Sequence, residues 1–169
     1  MQPKELYAKQ MKEKAYERLK QCGIKPSKQR VAIMEYLLTH PTHPTVEEIF
    51  NSLLPQIKTL SRTTVYNTLR FFSECHAAQM LTIDEHRVCY DGNTTPHVHF
   101  FCKECGKVYD FMDEPAPSAW HQGAPKGFTI HDTQLYYRGV CAACNAKKAV
   151  LTPHLRTMEK DIIPEAMAC

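Results

Sequence analysis

The chain has 169 residues, enough for one ordinary domain or two small ones. With 43% hydrophobic and 23% charged residues it falls in the globular range, which argues against wholesale disorder, and it has no apolar run of the ~18 residues needed to span a membrane. The net charge of +3 is unevenly placed: residues 86–169 balance nine basic against nine acidic groups, while the first thirty residues hold nine basic and three acidic, so an anion-binding surface is expected at the N-terminal end.

Residues 1–14 are charged and contain no apolar signal core, so secretion is not expected and the chain reads as cytoplasmic. In that compartment eight cysteines point to metal thiolates rather than disulfides. Residues 4–22 repeat Leu6, Met11, Ala15, Leu19 and Cys22 at roughly helical spacing, and Gly23 follows as a stop. Pro26 and Ser27 open a second helix carrying Val31, Met34, Leu37 and Leu38, which ends at His40-Pro41. Thr45 and Glu48 form a capping box for a third helix with the apolar stripe Ile49, Phe50 and Leu53.

Ser61 caps a fourth helix over Arg62–Glu74. At 100° per residue Val65, Leu69 and Phe72 share one face, while Thr63, Tyr66, Asn67 and Arg70 share another that is polar, basic and aromatic. Strand signals follow at 80–83 and 87–90, around a turn at Asp84-Glu85. Short helices ending in a polar, basic helix and then a hairpin predict a winged helix-turn-helix. Its fourth helix would enter the major groove of double-stranded DNA through Arg62, Thr63, Tyr66, Asn67 and Arg70. A plain helical domain with a solvated fourth helix is the competing reading.

The C-terminal half carries metal chemistry. Cys102-Lys-Glu-Cys105 and Cys141-Ala-Ala-Cys144 are two Cys-x-x-Cys pairs, and two such turns complete a tetrahedral thiolate site. Four thiolates leave no open position, which predicts structural Zn2+ held by Cys102, Cys105, Cys141 and Cys144 rather than a catalytic ion. Upstream lie Asp91-Gly-Asn and then His97-Val-His99; on a strand, residues two apart share a face, so His97 and His99 can address one ion. Asp110, on a return strand at 107–111, completes a His/Asp set suited to Fe2+ or Mn2+.

These stretches resemble the ferric uptake regulator family of metal-dependent bacterial repressors. The resemblance runs through Gly23 to Gln29-Arg30, His43-Pro44-Thr45, Ser61-Arg-Thr-Thr-Val-Tyr-Asn-Thr-Leu69, His97-Val-His-Phe-Phe-Cys-Lys-Glu-Cys-Gly-Lys-Val-Tyr-Asp110 and Gly139-Val-Cys-Ala-Ala-Cys144, roughly residues 18–148. It implies an α+β protein: a winged-helix DNA-binding domain at 1–90 and an α/β dimerisation domain with the four-cysteine zinc site at 91–169, including a C-terminal tail. It also implies a homodimer on a palindromic operator and no membrane partner. Only through the resemblance does His43 join Asp91, His97, His99 and Asp110 in a regulatory metal site; on its own His43 reads as a surface histidine beside a helix.

Asp91, Asp rather than Glu at 110, and Asp91-Gly-Asn ahead of the histidine pair resemble the peroxide-stress repressor branch. That branch implies Fe2+-dependent oxidation of ligand histidines, His43 and His97. An iron-responsive repressor is the alternative, although many such members carry a further histidine at the position of Thr133. A zinc sensor using Cys89 is a lesser one. Two other classes compete: a metallohydrolase built on His97 and His99, for which no substrate motif is evident, and a zinc-clamped interaction module, which leaves the His/Asp set without a role. No catalytic residue is expected. Cys22, Cys75, Cys89 and Cys169 read as packing or surface thiols, the segment at 113–125 around Trp120 as an irregular excursion, and 155–163 as a helical stretch of unreadable role.

Overall fold

The computed structural model describes residues 3–84, 86–111, 123–130 and 133–151. The chain forms two compact units, the first running through His97 and the second beginning at Val98. The expected excursion around Trp120 and the tail with Cys169 lie in or run into residues outside that set.

The first unit contains four helices, α1 (Pro3–Gln21), α2 (Lys28–Thr39), α3 (Val46–Leu53) and α4 (Arg62–Glu74), followed by strands β1 (Gln79–Leu81) and β2 (Cys89–Asp91). Local chemistry sets the helix ends. Gly23 adopts φ +71 after α1 and its N–H reaches the Lys20 carbonyl, while the Ile24 N–H reaches Leu19. The Ser27 and Ser61 hydroxyls accept from the N–H groups of Arg30 and Thr64. The Thr45/Glu48 capping box is complete: the Thr45 N–H donates to Glu48 Oε2 at 2.7 Å and the Glu48 N–H to Thr45 Oγ1 at 3.3 Å. Cys75 caps the end of α4, and His76 takes φ +55 as the chain turns toward β1.

One apolar core joins these helices. Leu19 and Ala15 of α1, Ile33, Met34 and Leu37 of α2, Ile49 of α3, and Val65, Leu69 and Phe72 of α4 are all buried in it, with Tyr90 of β2. Covering this many aliphatic and aromatic side chains is the main stabilising term for the unit.

The hairpin is wider than the alternation suggests. β1 and β2 pair antiparallel with Gln79 opposite Asp91 and Leu81 opposite Cys89, so the ladder stops at Leu81 and Cys89, and the strands are shifted from 80–83 and 87–90. The cause is Asp84, whose carboxylate accepts from the His86 N–H at 3.0 Å and from Arg87 Nε at 2.7 Å. That local bonding takes Asp84, His86 and Arg87 out of strand pairing. α1–α4 with this wing form the winged helix-turn-helix. No described helix is long and apolar enough to cross a membrane.

The second unit is a three-stranded sheet in the order β4-β3-β5, with a helix, α5 (Ala142–Leu151). β3 (Val98–Cys102) pairs antiparallel with β4 (Val108–Phe111) and parallel with β5 (Leu135–Gly139). The parallel partner β5 and helix α5 are elements that the sequence patterning did not reveal.

Candidate metal centres and nucleic-acid face

The four cysteines of the second unit converge because β3 and β5 are parallel neighbours that end together. Cys102 is paired with Gly139 in register, and the Lys103 N–H donates to the Gly139 carbonyl at 2.8 Å. Each Cys-x-x-Cys turn therefore starts from the same end of the sheet. Gly106 at φ +68 closes the first turn with its N–H on the Cys102 carbonyl. Cys141 immediately precedes α5, where helix N–H groups favour a thiolate. Lys148 of α5 reaches back to Glu104 at 2.7 Å.

All four sulfurs offer positions within 4.8 Å of one another, and Cys105 and Cys141 are 3.9 Å apart. A tetrahedron with Zn–S bonds of about 2.3 Å has S···S edges of about 3.8 Å, so the spacing fits zinc. The electrostatics agree. Burial alone would raise the Cys102 thiol, but N–H groups of Cys141, Cys105 and Glu104 bring it down to about 6. Cys141 is lowered by the Tyr109 hydroxyl and the Cys144 N–H, whereas Cys144, its thiol hydrogen-bonded to Cys141 and desolvated, is pushed up to about 12. Like charges gathered this closely oppose one another without a cation, which is the environment that a metal resolves.

The candidate regulatory ligands fall in both units. In the first, His43, Asp91 and His97 are buried, and their ligand atoms lie within 4.8 Å of one another. His43 is thus an interior residue rather than the surface histidine that its sequence context suggests. It takes φ +55, a left-handed conformation uncommon outside glycine, and the adjacent chain is fastened to β2 by the Tyr90 N–H donating to the Pro44 carbonyl at 3.0 Å and by a Thr45–Cys89 bridge. This fastening carries His43 to the end of the strand that bears Asp91.

His97 is oriented by its other nitrogen. Nδ1 lies 2.7 Å from the Thr95 carbonyl, which only accepts, so Nδ1 carries a proton and, in the neutral ring, Nε2 presents a lone pair. That lone pair faces Asp91 Oδ2 at 3.2 Å, while Asp91 Oδ1 accepts from the Asn93 N–H at 2.8 Å. The close approach is satisfied either by a proton on Nε2, in a charged ring, or by a metal ion that both atoms ligate. A backbone carbonyl fixing the far nitrogen is the usual support of a metal-binding histidine.

In the second unit His99 and Asp110 are direct cross-strand partners on β3 and β4, with Nε2 to Oδ1 at 3.6 Å. His99 is buried and packs its ring against Tyr136 of β5. The donors in both groups are nitrogen and oxygen, which suits iron(II) or manganese(II). Among the described residues the Cys89 thiol is not part of this ligand cluster. It is buried in β2, where desolvation raises it and disfavours the thiolate a metal needs.

The fourth helix presents the expected face. Val65, Thr68, Leu69 and Phe72 are buried, whereas Thr63, Tyr66, Asn67 and Arg70 are exposed. Two arginines there are engaged in the free protein. Arg62 makes a forked pair with Glu47 at 2.7 Å through Nε and Nη2 and stacks over Phe50, 4.5 Å from its centroid. Arg70 Nε is 2.8 Å from Glu74. Both pairs are solvent-exposed and weak, so they orient the guanidinium groups without preventing exchange to phosphate.

The sequence model of the Ferric uptake regulator family matches residues 21–138. The chain belongs to this family. It is 37% identical over 133 residues to the peroxide-responsive repressor PerR of Staphylococcus aureus (strain Mu50), a match covering 76% of this chain and 88% of that relative. The ferric uptake regulator Fur of Helicobacter pylori, described as having three functional metal binding sites, superposes with a TM-score of 0.59 at 25% identity, over 82% of this chain and 93% of that one. Fur of Pseudomonas aeruginosa, solved with manganese, gives a TM-score of 0.60 at 21% identity over 75% and 96%, and shows the shared fold. The chain is therefore a metal-dependent transcription regulator: a winged helix-turn-helix unit followed by the family's α/β dimerisation domain with its four-cysteine zinc site.

Proposed function

We propose that this regulator is a homodimeric repressor of palindromic operators in the cytoplasm that senses peroxide through one regulatory site made by His43, Asp91, His97, His99 and Asp110. The observation that carries the reading is a donor set of three histidines and two carboxylates with no thiolate, in a chain 37% identical to a peroxide-responsive repressor. Covalent continuity supports joining the two ligand groups, because His97 and His99 are separated by a single residue. An ion bound by both groups stabilises whichever domain arrangement presents all five donors, and the two winged helices of a dimer then meet the two half-sites together. Arg62, Thr63, Tyr66, Asn67 and Arg70 form the face that would enter the groove.

Iron(II) bound there would supply the electron that breaks the O–O bond of peroxide. The chain's contribution is to hold imidazoles as the nearest oxidisable groups. His43 and His97 are buried beside Asp91. Gain of one oxygen by either ring would spoil its donor nitrogen, weaken the site and release DNA. Manganese(II) would support DNA binding without this chemistry.

The test is to treat iron-loaded and manganese-loaded protein on operator DNA with stoichiometric peroxide, follow release by gel shift and map peptide masses. One added oxygen on the His43 or His97 peptide, with release only in the iron form, supports the proposal. Release that tracks oxidation of Cys102 or Cys105 with zinc loss would make the sensor thiol-based. An iron form that stays on DNA would make the protein an iron-responsive repressor, the reading favoured by its structural likeness to Fur.

A further inference from the structure

Residues 92–96 join Asp91 to His97 without helix or strand. Two ligands at the ends of a five-residue irregular segment would be poorly placed unless something outside the segment held it. Three successive residues are held, each by a different element. The backbone of Gly92 lies against α2: a Cβ there would sit 3.1 Å from the carbonyl carbon and oxygen of Leu37, so only glycine fits without a shift. The Asn93 carbonyl accepts from Gln79 Nε2 of β1 at 2.7 Å. The Thr94 hydroxyl accepts from Arg18 Nη1 of α1 at 2.7 Å, and Arg18 Nη2 lies 3.4 Å from the Gly92 carbonyl.

The middle one of the three, Asn93, sets Asp91 directly and His97 through Thr95. The Asn93 N–H donates to Asp91 Oδ1, its side-chain carbonyl accepts from the Thr95 N–H at 3.1 Å, and the Thr95 carbonyl fixes the tautomer of His97. A hydrogen-bonded path therefore runs from the guanidinium of α1 and the amide of β1, through the backbone of 92–95, to both ligands. From this we infer that Arg18 and Gln79 are positioning residues for the regulatory metal: they hold Asp91 and His97 in binding geometry before any ion arrives. The inference rests on the site reading given above.

Arg18 is well suited to the task. Its charge strengthens hydrogen bonds to neutral acceptors, and its fork spans Gly92 and Thr94 at once, which a lysine ammonium on a flexible stem reproduces only in part. It is half-buried, beside the fully buried Leu19 in sequence.

The experiment uses the full-length, zinc-loaded protein and titrates manganese(II) by calorimetry. Removing an outer support of a metal ligand typically weakens binding about 10–100-fold, and Arg18→Met and Gln79→Met should each fall in that range. Arg18→Lys should recover part of the loss. Thr94→Val, which removes the shorter of the two acceptors and leaves the arginine, should reproduce most of the Arg18→Met loss and replaces it if that variant folds poorly. Lys14→Met, on exposed α1 surface, controls for loss of charge. In the metal-free state, amide exchange at Asn93 and Thr95 should accelerate in Arg18→Met while zinc content stays constant. Wild-type manganese affinity in both Arg18→Met and Thr94→Val, or an equal loss in Lys14→Met, overturns the inference and leaves the site intact. If His97→Ala binds manganese as well as wild type does, the site reading itself falls, and the inference with it.

Discussion

Replacing Cys141 with serine should cost the second unit its fold while sparing the first. Among the described residues of the second unit, the buried side chains other than the histidine ligand are Val98, Cys102 and Cys141. Burial of one valine contributes roughly 1.5–3 kcal/mol. A structural zinc site of this kind contributes about 10–16 kcal/mol, expressed as folding free energy because the site does not exist in the unfolded chain. The metal term therefore exceeds the contribution of that one fully buried valine several-fold, and it ties together the ends of β3, β5 and α5, which are otherwise joined by the β3–β5 ladder and the exposed Lys148–Glu104 pair. The first unit has its own apolar core from Ala15 to Tyr90 with none of the four zinc-site cysteines in it. Zinc analysis of Cys141→Ser should give far less than one ion per chain, gel filtration should show loss of the proposed dimer, and helical circular dichroism should largely persist. A variant that keeps one zinc per chain and the wild-type melting temperature would refute the reasoning.

Tyr66→Ala and Arg70→Ala should weaken operator binding without changing zinc content; if Arg70 neutralises one phosphate, the slope of log affinity against log salt should flatten by about 0.9, and unchanged binding in both variants would mean that another surface enters the groove. Asp84 supplies a pH test, since the His86 N–H and the Arg87 guanidinium hold its carboxyl below the ordinary 3.8. A carboxyl lowered on folding adds stability above its unfolded value and loses it as pH falls through the folded one. The gap in urea midpoint between wild type and Asp84→Asn should therefore be level from pH 5 upward and shrink below about pH 4; a gap independent of pH down to 3 would show that the charge is not what holds the turn.

Much of the first unit is legible in the sequence because its signals are local. Ser27, the Thr45/Glu48 box and Ser61 act over three residues, and the buried stripe of α4 is set by a repeat of three and four. The same locality misleads at Asp84, whose bonds to its own neighbours compete with strand pairing and push the ladder outward. The two Cys-x-x-Cys turns are also local, so the thiolate site can be read from spacing, although what closes it cannot. That depends on β5, whose residues 135–139 are exposed or half-buried with no alternation to mark a strand, pairing in parallel with β3 across more than thirty residues. His43 shows the limit most clearly. Its flanking prolines and polar neighbours describe a surface turn, and only the fastening of Pro44 and Thr45 to β2, with the backbone held at positive φ, turns its ring into the interior beside Asp91. Hydrogen bonds that close over three residues leave their mark on composition and spacing; contacts between residues some forty-five positions apart are decided by which surfaces bury together.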